Sequence, residues 1–142
     1  MMDSSKVNKT GAAMKLPPCP ASPNCVTSQE PDETHAIRPF EYAGPPENAR
    51  QALLAALESM PRTQIVSKTK VYIRAEFRSP FFKFVDIGEF VIREHAPVID
   101  VRSASQKGYY DFGVNRKRLE GLRRRFNQQL AAGDDSAGSM PR

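Results

Sequence analysis

Residues 70–79 read KVYIRAEFRS, and the fold turns on how they are read. Val71, Ile73, Ala75 and Phe77 alternate with Tyr72, Arg74, Glu76 and Arg78. A two-residue period places the apolar set on one side of an extended chain and the polar set on the other, whereas a helix would space its apolar residues three and four apart. This is a half-buried strand. The neighbouring segments continue it. TQIVSK (63–68) precedes it across a short turn, Ser79-Pro80 interrupts it, and FFKFVDIGEFVIRE (81–94) and VIDVRS (98–103) follow. The sequence therefore predicts an antiparallel meander of about four strands. Alternation slips around Gly88, which predicts a bulge there.

Helical periodicity brackets the meander. In PENARQALLAALESM (46–60), proline opens the stretch, Pro61 closes it, and Ala49, Leu53, Ala56, Leu57 and Met60 share one face. A second helix is predicted from about Phe112 to Ala131, with Leu119, Leu122, Phe126 and Leu130 towards the core. Strands and helices do not alternate as they do in parallel sheets. The expected class is α+β, an antiparallel sheet packed by two helices. Residues 16–46 hold eight prolines and read as an extended segment laid over the surface, with a short extended piece around Ile37–Tyr42. Residues 1–15 and 133–142 carry no apolar periodicity and are expected to be tails, leaving one domain over 16–132.

The net charge of +5 suits an anionic partner but is modest for a dedicated nucleic-acid binder. Apolar runs of only a handful of residues predict no membrane span, and the absence of a secretory h-region makes the cytoplasm the expected location. Six basic residues lie between positions 116 and 125, but Lys117, Arg124 and Arg125 spread over the solvent side of the helix without interleaved aromatics, so no specific nucleic-acid interface is expected. Arg116, Glu120, Arg123 and Asn127 form a polar stripe beside the core face, from which long side chains can reach neighbouring elements.

Catalytic and metal signatures are sparse. Cys19 and Cys25 in CPASPNC are too far apart for the usual zinc pair, and His35 and His95 are sixty residues apart, so neither metal nor cofactor is expected. In a cytosolic chain the two thiols are expected to be small buried groups flanking a turn at 21–24, and a Cys19–Cys25 disulfide is the second reading. Glu76, Asp86 and Glu89 form the acidic set of the meander. Their structural role is ion pairing with Arg74, Arg78 and Arg102. The chemical alternative is a small hydrolase or transferase using the three carboxylates. No G-x-S-x-G or phosphate-binding glycine loop is present.

The connection RSASQKGYYDFGVNR (102–116) is long, polar and rich in glycine. Asp111 is a candidate helix N-cap, and Gly108 and Gly113 relax the turn. Two readings of the rest stand side by side. Arg102, Ser103, Ser105 and Arg116 form a cradle for a small anionic ligand or an acidic protein partner, supported by Glu76, Asp86, Glu89, Asp111 and Arg123. Or the same residues form an internal network in which Arg102 and Arg116 pair with Glu76 or Asp111. The functional expectation is a non-enzymatic module binding an anion near this loop.

Four segments, in order, carry a resemblance: CPASPNCVTSQ (19–29), RAEFRS (74–79), FKFVDIGEF (82–90) and RSASQKGYYDFGVNRKRLEGLR (102–123). Together they resemble the uncharacterised family known as domain of unknown function 1499, over about Cys19 to Phe126. The resemblance implies little about activity. Relatives include small domains attached to membrane segments or lipoprotein-like leaders, and neither is read in this chain. Two positions depart from the family pattern. Ile87 and Gly88 follow Asp86 where two adjacent acids are usual, and Gln106 stands where arginine often follows the serine-rich motif.

Overall fold

The computed structural model describes residues 14–30, 32–81, 84–106 and 113–138. In chain order the elements are β1 (Cys25–Thr27), β2 (Phe40–Glu41), α1 (Pro46–Glu58), β3 (Thr63–Lys68), β4 (Tyr72–Arg78), β5 (Val85–Ile92), β6 (Val98–Ser105) and α2 (Val114–Gly138). The predicted meander is β3 to β6. The sheet has six strands in the order β1-β6-β5-β4-β3, with β2 also on β6, and every pairing is antiparallel. The expectation of about four strands is thus corrected by two short ones from the proline-rich segment. Cys25–Thr27 pairs with Arg102–Ala104, and Phe40–Glu41 with Val98 and Ile99. Strands of three and two residues are too short to show alternation. They form because β6 otherwise presents an open row of backbone groups.

Both helices cover one face of the sheet. Phe40, Ile73, Ala75, Phe77, Phe90, Ile99 and Val101 meet Leu53 and Leu57 of α1 and Leu119, Leu122 and Phe126 of α2 in a single core. The Phe40 ring sits 5.6 Å from that of Phe126 and 6.5 Å from that of Phe90, which ties the short β2 into the centre. α1 starts on Pro46, as predicted, and α2 continues to Gly138, past the expected end at Ala131.

The predicted bulge is displaced. Pairing through Gly88 is regular, Ala75 on one side and Ser103 on the other, and the register shift lies in β3 between Ile65 and Ser67. Gly88 is required for a different reason. A Cβ there would lie 2.5 Å from Cε2 of Phe77 and 3.2 Å from Cε2 of Phe90, so the strand lacks a side chain where the Phe77 ring crosses it. Gly88→Ala is expected to push that ring off its site and cost about 1–3 kcal/mol in urea unfolding. A loss under about 0.5 kcal/mol would show that the ring moves freely.

The opposite face of the sheet carries a strap. Met14 and Leu16 are buried against Val91 and Tyr72. Gln29 accepts from the Leu16 amide at 2.8 Å and donates to the Met14 carbonyl at 3.3 Å and to Asp100 Oδ2 at 3.0 Å. Met14, expected in the tail, therefore packs with the body.

The strap is tied to β1 by a Cys19–Cys25 disulfide, which replaces the expected pair of reduced thiols. Their positions explain the link: Cys25 points to the strap face of the sheet, and Cys19 lies on the strap itself. With six residues of separation, the closed loop is short, so reduction should cost about 2 kcal/mol and lower the melting temperature by several degrees. Melting with and without reductant, beside a Cys19→Ser/Cys25→Ser variant insensitive to it, checks this. Unchanged melting on full reduction would mean the strap holds without the bond.

The irregular stretch between β1 and β2 is pinned from α2. Arg116 donates to the carbonyls of Ala36 at 2.6 Å and Thr34 at 3.2 Å. Arg123 donates to those of Pro39 and Arg38, both at 2.9 Å, and to Glu120. Its guanidinium also lies 4.9 Å over the Phe40 ring. His35, buried in this stretch, pairs with Asp32 and donates through Nε2 to the Ser22 carbonyl at 2.9 Å. That carbonyl first, with Asp32, holds the imidazole above its ordinary pKa. Among the described residues, no helix is long and apolar enough to cross a membrane.

Candidate functional site

Strand parity decides where the chemistry lies. Successive residues of β6 face opposite sides of the sheet, so Arg102 points to the strap and Ser103 to the helices. The same holds in β5, where Asp86 and Gly88 face the helices and Ile87 and Glu89 face the strap. Two polar centres result.

The helix-side centre is closed and well satisfied. Ser103 Oγ donates to Asn115 Oδ1 at 2.5 Å, and Asn115 Nδ2 donates to Ser105 Oγ at 3.0 Å and to the Asn24 carbonyl at 3.3 Å. Arg118 Nη1 donates to Asp86 Oδ2 at 2.8 Å and to Asn115 Oδ1 at 3.1 Å, with its guanidinium 4.8 Å over the Phe77 ring. Such a network ties α2 to the ends of β5 and β6.

The strap-side centre is open. Glu89 is only 2% exposed, yet it faces two arginines and a phenol. Tyr72 Oη donates to its Oε2 at 2.6 Å, Arg102 Nη1 reaches Oε1 at 3.5 Å, and Arg74 Nη1 stands 3.8 Å from Oε2. Arg102 Nη2 also donates to the Pro18 carbonyl of the strap at 3.2 Å. Its Nε is buried with no hydrogen-bond partner among the described residues. Burial, and then the adjacent carboxylate, push the Tyr72 hydroxyl up to about 12. Burial likewise lowers the pKa of Arg102, opposed by Glu89. A cleft of about 280 Å³ opens here between strap and sheet, walled by Pro17, Arg74, Ile87, Glu89, Arg102 and Ser105.

The sequence-derived cradle is therefore distributed rather than gathered. Of its four residues, only Arg102 turns its side chain to the cleft; Ser103 and Ser105 are bonded to Asn115 on the helix side, Ser105 bordering the cleft at the end of β6, and Arg116 holds the 34–36 backbone. Arg123 serves the same segment, and Asp111 and Gly108 lie outside the described residues. The acids divide too. Glu76 pairs with Arg78 at 2.7 Å, Glu89 takes Arg102, and Asp86 is across the sheet with Arg118.

Sequence reasoning missed Tyr72, Asn115 and Arg118. The signal for Asn115 was present: with Leu119, Leu122 and Phe126 it falls on one helical stripe at spacings of four, three and four, so a polar group there had to be buried. Arg118 lies one turn before Leu122 on the same side.

No curated protein matches the chain. Residues 15–126, which contain both polar centres, the strap's disulfide and all six strands, match the family described as "Protein of unknown function (DUF1499)", and the chain belongs to that family.

Proposed function

We propose that the protein is a non-enzymatic binding module that takes a small anion in the cleft between the 14–20 strap and strands β4 to β6. The observation that carries this reading is the state of Arg102. A guanidinium offers five donors in a planar fork, and this one is 12% exposed, holds its acid at the long distance of 3.5 Å and leaves Nε unpaired. Nε is itself buried, so it is paired only when the guanidinium turns towards the cleft, where a carboxylate or phosphate oxygen would supply the missing acceptor in the geometry an arginine prefers.

Arg74, more exposed at the cleft wall, adds a second cation. Two arginines against one carboxylate favour a compact anion of low charge over a polyanion. The three-acid alternative finds less support, because Asp86 lies on the far side of the sheet from Glu76 and Glu89. The disulfide supports an oxidising compartment as the place of work, in contrast to the cytoplasm expected from sequence.

The test is a melting and calorimetric screen of phosphate, sulfate, acetate and larger carboxylates at constant ionic strength. A true ligand at one hundred times its dissociation constant should add about 2.7 kcal/mol of stability and raise melting by several degrees. Arg74→Gln should remove that shift and leave the unliganded protein unchanged, since Arg74 sits 3.8 Å from its acid at a partly exposed position. A screen in which no anion exceeds the ionic-strength control refutes the reading.

A further inference from the structure

Residues 17–20 read PPCP, so within this run Cys19 alone has a backbone N–H. Such a segment cannot join the sheet as a strand, because the ladder needs donors that proline lacks. It is held by other means. Among the described residues, its one hydrogen bond to the sheet runs from Arg102 Nη2 to the Pro18 carbonyl at 3.2 Å, and its covalent tie is the Cys19–Cys25 disulfide. The other end of the strap has anchors of its own, the buried Met14 and Leu16 and the side chain of Gln29.

The disulfide stands at the rim of the anion cleft. Cys25 in β1 pairs with Ala104 in β6, and Ala104 pairs with Ile87 in β5, so the three form one cross-strand row on the strap face. Ala104 and Ile87 wall the cleft from the sheet, and Pro17, two residues before Cys19, walls it from the strap. Arg102 lies between them, 12% exposed and bonded to the Pro18 carbonyl. With the disulfide broken, that single hydrogen bond holds Pro17 and Pro18 to the sheet. The strap then lifts at its Cys19 end, and water reaches the guanidinium. A higher local dielectric weakens the attraction between Arg102 and a bound anion several-fold.

We propose that the Cys19–Cys25 disulfide is a redox latch on the cleft: the oxidised chain binds the anion, and reduction releases the strap and lowers the affinity. The latch rests on the anion reading above and adds its regulation. The step is thiol–disulfide exchange with a dithiol. One thiolate of the dithiol attacks Cys19, which is partly exposed, and the wholly buried Cys25 leaves as a thiolate. The second thiol of the reagent then displaces Cys19. Two electrons and the reagent's two protons end on the two cysteines, and the reagent departs as its own disulfide.

Phosphate and acetate serve as probes, titrated calorimetrically into the full chain at constant ionic strength, oxidised or reduced with dithiothreitol, below the melting temperature of the reduced chain. Affinity for the probe that the oxidised chain binds should fall about fivefold or more on reduction and return on reoxidation. Cys19→Ser/Cys25→Ser should bind as weakly as the reduced chain and ignore dithiothreitol; the reduction and reoxidation of the natural chain stands alone if that variant folds poorly. Linkage demands the converse effect. A saturating probe should make the disulfide harder to reduce by the same factor, read by thiol titration over a series of reduced-to-oxidised dithiothreitol ratios. Strap release has a readout that needs no anion: the buried Arg102 Nε–H should exchange with water about tenfold faster in the reduced chain, followed by NMR. Affinity unchanged or tighter on reduction overturns the latch and leaves the cleft reading standing. Exchange at Arg102 unchanged on reduction overturns the latch by itself. If neither probe binds the oxidised chain beyond the ionic-strength control, the cleft reading falls and the latch falls with it, even where the exchange shows that the strap lifts.

Discussion

Asp86→Ala should cost about 3–5 kcal/mol of folding stability, because it strands a cation beside the core. Arg118 is 15% exposed and Asp86 10%, and they meet at 2.8 Å on the helix side of the sheet. Without the carboxylate, Arg118 retains the Asn115 amide oxygen at 3.1 Å and the face of Phe77 at 4.8 Å. Neither is a counter-charge. A ring face returns about 0.5–2 kcal/mol to a desolvated cation, well below the penalty of an unpaired one. Asp86→Asn keeps an acceptor and should be milder.

The decisive comparison is a double-mutant cycle by urea unfolding. Asp86→Leu with Arg118→Met removes both charges and should be less damaging than either single change, with an interaction term of about 2 kcal/mol or more. If Asp86→Ala costs under about 1 kcal/mol, water screens the pair and the network is decoration on a core that holds without it.

The same residues show how far the sequence can be read. Strands β3 to β6 are legible because β4 alternates cleanly, with buried Ile73, Ala75 and Phe77 separated by less buried Tyr72, Arg74 and Glu76. β5 is different: after Val85 every residue is buried, because helices cover one face and the strap the other. Burial there no longer follows residue type, so Asp86 and Glu89, both charged and both buried, read as an acidic cluster although they point in opposite directions. The slip at Gly88 is real but marks a ring crossing the strand, not a bulge.

The 102–116 segment reads as a loop, yet β6 extends through Ser105. The predicted strand VIDVRS (98–103) gains only two residues, and its own two-residue period already puts Arg102 and Ser103 on opposite faces. The arginines of α2 fall at the core's edge as their spacing implies, but what Arg116 and Arg123 hold, the carbonyls of residues 34–39, has no periodicity by which sequence could announce it. The strap is invisible for the same reason. Its grip comes from Gln29, a disulfide and two apolar residues, Met14 and Leu16, that form no repeating pattern.

Glu89→Ala and Glu89→Gln should part company, and their difference separates scaffold from site. The alanine removes the carboxylate facing Arg102 and Arg74 together with the acceptor for Tyr72, at a position 2% exposed, and should cost about 3–5 kcal/mol. The glutamine keeps shape and one acceptor oxygen and should cost about 1–2 kcal/mol. It should also let the Tyr72 hydroxyl ionise at lower pH than its present value of about 12, since Glu89 helps to hold it up after burial, and an absorbance titration of tyrosinate reads this directly. On the proposed anion reading the effects on binding run the other way. Removing a negative charge from a cleft that two arginines share should tighten anion binding, by about tenfold at moderate salt. In Glu89→Ala the vacated volume beside Arg102 should accept acetate, so acetate should raise the melting of the alanine variant more than that of the wild type. Destabilisation without rescue by acetate, phosphate or sulfate, joined to unchanged anion affinity in Glu89→Gln, would make Glu89 a strut between strap and sheet, and the unpaired Nε of Arg102 would then be the cost of that strut rather than the mark of a ligand.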